Sequence, residues 1–196
     1  MKSDIIHISS RGSGMEAALT ETEKVAAYKG LDSKSTLHLR LLTEELMGMM
    51  RSITGETKGD FWIEEEKAVY QLHLSVLTMM SLDKRDQLLA ASSSGKNEAA
   101  RGLMGRLRNF FDQGSDTPAM FLYGHEMSGY SSNPALDMEW SMTTYQHQLE
   151  TRLAQDEKAR EMWDELEKSV VTHVADDIKV FIRGDHAEMV IVKKFS

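Results

Sequence analysis

There is no cysteine among the 196 residues, which removes disulfides, thiol nucleophiles and thiolate metal sites together. The chain also lacks any surplus of positive charge: 23 Lys and Arg stand against 31 Asp and Glu, a formal net charge of -8. The basic residues are spread along the sequence and form no patch of the kind that binds phosphate backbones or anionic lipid, so neither nucleic acid nor a membrane is an expected partner. No apolar run approaches the roughly 20 residues a spanning helix needs. The apolar stretch in the opening M-K-S-D-I-I-H-I-S-S is too short for a signal peptide. A cytoplasmic location is the expectation from these absences.

Metal and hydrolase signatures are missing too. No two of the seven histidines stand at i, i+4 around a glutamate, and no G-x-S-x-G elbow is present. His73 and His173 read as structural residues. Proline is scarce: Pro118 and Pro134 both fall in the stretch 112–137, with Gly114, Gly124 and Gly129, which reads as one long loop. There is no internal repeat and no low-complexity tail.

What is present is periodic. Leu39, Leu42, Leu46, Met49 and Ile53 recur at steps of three and four, which predicts a central helix over 35–53 with Ser33 or Ser35 as its N-cap and Gly55 past its end. A helix over 15–29 precedes it, with Leu19, Thr22, Val25 and Ala26 on its apolar side. Ile5, Ile6 and Ile8 make a short strand before that helix. After the central helix the period changes to two. A strand over 61–64 and a turn at Glu65-Glu66-Lys67 lead to a second strand in which Tyr70, Leu72, Leu74 and Val76 face one way and Gln71, His73 and Ser75 the other.

Helical patterns follow over 83–91 and 97–111. A long helix is expected over 139–175, bent near Gln155-Asp156. Its stripe is Met142, Tyr145, Leu149 and Leu153, then Met162, Leu166, Val170 and Val174, with Trp140, Tyr145 and Trp163 as core or interface. A hairpin over 178–192 turns at Gly184-Asp185. Strands in adjacent hairpin pairs imply a mostly antiparallel sheet with helices on its apolar face, a two-layer α+β sandwich. One domain, 1–196, accommodates it, with a lid-like insert at about 81–138.

The central helix carries Glu44, and Gly48 one turn later between Met47, Met49 and Met50. A carboxylate on such a helix faces either solvent or a site. Glu45 exchanges roles with it if the helix phase slips by one. A glycine there serves either a close helix–strand contact or a pocket. The segment 92–105, S-S-S-G-K-N-E-A-A-R-G-L-M-G, has the composition of a loop leading into a helix whose free N–H groups attract anions, or of a loop and a packed helix.

This order, with L-L-T-E-E-L-M-G-M-M on the second helix, resembles the GHKL superfamily, the ATP-binding domains of histidine kinases, DNA gyrase, the heat-shock chaperone and bacterial anti-sigma factors. The resemblance implies a histidine-kinase-like ATPase topology and places Glu44 where the family's E-x-x-x-N motif has its catalytic glutamate. Gly48 takes the place of the magnesium-binding asparagine. Asp83 would take the place of the base-recognising aspartate, without the glycines of D-x-G-x-G. Gly95, Lys96 and Asn97 would contact phosphate, with Gly102 and Gly105 beside them. ATP with Mg²⁺ is the cofactor this implies. The function implied is a regulatory protein of the bacterial cytoplasm with weak or no hydrolysis, which leans away from an enzyme. The alternative is an interaction module of the same fold without nucleotide, capturing a protein partner through the long helix or a sheet edge, or pairing as a homodimer.

Overall fold

The computed structural model describes residues 1–9, 13–54, 58–77, 138–183 and 186–195. The expected helices over 83–91 and 97–111, the loop 112–137, the lid-like insert, Gly55 and the Gly184-Asp185 turn lie outside the described residues.

The elements in order are β1 (Ile6–Ser9), α1 (Ser13–Tyr28), α2 (Ser33–Thr54), β2 (Lys58–Glu66), β3 (Val69–Leu77), β4 (Met138–Ser141), α3 (Met142–Glu150), α4 (Glu157–Glu167), α5 (Val170–Val174), β5 (Asp177–Arg183) and β6 (His186–Lys194). The strands form one sheet in the order β1-β2-β3-β6-β5-β4, and every neighbouring pair is antiparallel. The expected α+β sandwich is what the structure contains. Among the described residues no helix is long and apolar enough to cross a membrane.

Strand alternation sorts the side chains into two faces. On the inner face one cross-strand row runs Ile6, Phe61, Leu74, Met189, Val180 and Trp140, through all six strands. A second row runs Ile63, Leu72, Ile191 and Ile178, and all four are fully buried. Against these rows lie Leu39, Leu42, Leu46 and Met49 of α2, four residues of the stripe expected from spacing alone, and Ala18, Val25 and Ala26 of α1. The two helices are joined at their interface by Thr22 and Thr43, both fully buried. Their hydroxyls lie 2.9 Å apart and each is within hydrogen-bond reach of the carbonyl four residues back, so that one hydroxyl donates to the other, which in turn donates to its own i−4 carbonyl. A buried hydroxyl is tolerated because its donor and acceptor capacity is used.

Local chemistry explains the helix ends. Asp32, rather than Ser33 or Ser35, caps α2: its carboxylate accepts the Ser35 N–H at 2.7 Å. That bond holds the Asp32 carboxyl below its ordinary value. An anion at the positive end of the helix dipole is the expected partner for the free N–H groups.

The single helix expected over 139–175 is instead a strand and three helices. Glu139 and Trp140 are strand because they pair with Phe181 and Val180 of β5. Ser141 then caps α3, its hydroxyl accepting the Thr144 N–H at 3.2 Å, and Asp177 accepts the Thr143 N–H at 3.1 Å. The chain turns at 151–156, where the Arg160 guanidinium donates to the carbonyls of Leu153 and Ala154 and so satisfies groups a helix would have used. A second break at Lys168 and Ser169 restarts the phase. Val171 is therefore buried and Val170, expected on the apolar stripe, is exposed.

The β2–β3 turn also moves by a residue. It is made by Lys67 and Ala68, both at positive φ (51° and 62°), the left-handed pair a two-residue hairpin requires and normally fills with Asn and Gly. Glu65 anchors its base by accepting the Ala68 N–H at 3.1 Å and by pairing with the Lys29 ammonium.

Candidate functional site

Glu44 lies on the outward side of α2, exposed, with its carboxylate 3.4 Å from the Nε of Arg40 one turn earlier. Arg40 also reaches Glu23 on α1, at 2.6 Å. Both carboxylates hold the Arg40 guanidinium above its already high ordinary value, the Glu44 hydrogen bond most. The arrangement is a three-charge clamp across the tops of two helices. Such a clamp is screened by solvent and worth little individually. Glu45 is half-buried and lies on the neighbouring line of the helix.

Gly48 is exposed on the same outward stripe, and a Cβ built on it would meet nothing within 4 Å among the described residues. Among the described residues no strand makes the close contact with α2 that a mid-helix glycine at this position suggests. It occurs at Gly14 instead, in the first turn of α1, where a Cβ would stand 2.6 Å from the Cα of Ile8 on β1. Gly14 reads in sequence as part of a flexible turn, and the pairing of β1 with α1 is what gives it its role. A similar approach holds Gly59 against the Ser75 carbonyl, 2.4 Å from a built Cβ.

The magnesium ion implied by the resemblance does not fit this part of α2. Gly48 offers no ligand atom, and Glu44 is engaged by Arg40 on the face turned away from the sheet. Of the other nucleotide-site candidates, Asp83, Gly95, Lys96, Asn97, Gly102 and Gly105 all lie outside the described residues. Glu44 and Gly48 share one face of one helix, and that is the only juxtaposition of candidates among the described residues. At the N-terminal end of the same face is a shallow pocket of about 340 Å³, lined by Glu23, Leu31, Ser33, Thr36, Leu37 and Arg40.

The opposite face of the sheet carries a polar arrangement that spacing alone does not announce. One cross-strand row reads His7, Asp60, Ser75 and Glu188. The next reads Trp62, His73, Val190 and Lys179. His7 Nδ1 lies 2.6 Å from Asp60. His73 Nδ1 lies 2.8 Å from Glu188, and the imidazole stacks on the Trp62 indole with ring centres 4.7 Å apart and planes 9° from parallel. The Lys2 ammonium sits over the Trp62 ring, 4.7 Å from its centre, and the Trp62 N–H donates to Glu64 at 2.9 Å. The Lys2 ammonium, then the indole N–H, holds the Glu64 carboxyl below its ordinary value.

A carboxylate on one imidazole nitrogen orients the ring and leaves the other nitrogen to find a second partner. In His73 that other nitrogen, Nε2, is closed to solvent and has no hydrogen-bond partner among the described residues. The sequence signal for this cluster was the polar side of β3, Gln71, His73 and Ser75. The partner Glu188 is 115 residues away and is visible only through strand pairing. Among the described residues no three His, Asp or Glu side chains come together in a way that could hold a metal ion.

Compared with known proteins, the chain matches no family model, no curated protein and no solved structure.

Proposed function

We propose that the chain acts by binding a protein partner and has no nucleotide site between α2 and the sheet. The observation that carries this reading is the packing of that interlayer. Leu39, Leu42 and Leu46 of α2 and Phe61, Ile63, Leu72 and Leu74 of the sheet are all fully buried there. A bound nucleotide needs an open cleft of several hundred Å³ with a few convergent polar groups. Here the same space is apolar side chain, and the one carboxylate singled out on α2 faces outward.

The surface that fits partner binding best is the β1 edge of the sheet. β1 pairs only with β2 among the described strands, and Ile5 beside it is half exposed. An extended segment adds to such an edge through main-chain hydrogen bonds. The helix over 139–175, the other surface expected to serve, is divided into three short pieces and presents no continuous face.

Titration calorimetry with ATP, with and without Mg²⁺, tests the reading on the whole chain. Gly95, Lys96 and Asn97, on which phosphate contact was expected, are present in that experiment. The expected result is no heat and no thermal shift at millimolar ATP. Binding in the micromolar range would overturn the reading and return the function to a divergent ATP-binding domain. Sedimentation of the purified protein then separates pairing with a second copy from binding of a different chain.

A further inference from the structure

We draw no further inference here: the strongest candidate, the outward stripe of α2 from the shallow pocket at Leu37 past Glu44 to Gly48, is an unpartnered helix face, and nothing in the structure shows what covers it.

Discussion

Replacing Gly48 with alanine asks whether the middle of α2 is shaped by folding or by something outside the fold. Gly48 stands six residues before the end of a 22-residue helix, is exposed, and leaves space for a Cβ on every side described. In such a position glycine is less favourable than alanine by about 0.8–1 kcal/mol, because its backbone loses more freedom on folding and shields its hydrogen bonds less. No clash opposes the gain, so Gly48→Ala is expected to stabilise the protein by nearly that amount. With urea slopes of about 1–3 kcal/mol/M, a gain of about 1 kcal/mol raises the unfolding midpoint by roughly 0.3–1 M. For a chain of this size it raises Tm by about 2–4 °C. Urea unfolding followed by far-ultraviolet circular dichroism reads the change directly. An unchanged or lower midpoint would refute the reasoning, since it would require a contact at Gly48 that the described residues do not supply.

The same substitution has the opposite sign at Gly14, where the new methyl would stand 2.6 Å from the Cα of Ile8. Gly14→Ala is expected to lower the urea midpoint, by about 1–3 kcal/mol of stability as for an overpacked core, and a neutral result would mean that β1 and α1 are not held in this contact. Ala68→Gly should be stabilising by up to about 1 kcal/mol, because a non-glycine residue at φ 62° bears a left-handed penalty that glycine does not; a lower midpoint would show that the turn relaxes to another form. Glu65→Gln tests the anchor of that turn through pH. The Lys29 ammonium, then the Ala68 N–H, hold the Glu65 carboxyl below its ordinary 4.5, so its contribution is fully present above about pH 4.5 and is lost as pH falls through the lowered value. The wild-type protein should therefore exceed the variant in urea midpoint at neutral pH and converge with it in acid, and a gap that persists in acid would assign the effect to something other than the charge.

Much of the fold was legible because burial and periodicity report the same thing. The period of two in β3 placed Tyr70, Leu72, Leu74 and Val76 on one face, and these are the side chains buried in the sheet's inner rows. The steps of three and four in α2 placed Leu39, Leu42, Leu46 and Met49, which are buried as read. What periodicity misjudged was continuity. Met142, Leu149 and Leu166 are buried where a single helix would put them. Yet the backbone between them leaves the helix twice, because the carbonyls at Leu153 and Ala154 find the Arg160 guanidinium and the chain restarts at Val170. A side-chain pattern does not record where backbone acceptors find other donors.

The site was less legible because its evidence lay in relations between distant residues. Read along the chain, Glu44 is a carboxylate on an apolar helix and invites a catalytic role. Its partner Arg40 is one turn away, but the second partner, Glu23, stands on α1 and comes into reach only when the helices pack. The same holds across the sheet, where His73 and Glu188 become a pair through the β3–β6 register. In both clusters charged groups are paired with one another. Arg40 bridges Glu44 and Glu23 on the outer helical face. On the other side Lys2, Trp62 and Glu64 are similarly engaged among themselves. A group that is to act on a small ligand has to hold some of its bonding capacity in reserve toward an open space. Among the described residues the one buried side-chain polar atom without a hydrogen-bond partner is His73 Nε2, and this atom is shut from solvent. The interlayer is filled, Arg40 and Lys2 each lie against carboxylates of their own cluster, and β1 pairs among the described strands with β2 alone. An edge strand can take up an extended segment of another polypeptide through main-chain hydrogen bonds, and the proposed reading directs the first experiments toward a protein partner.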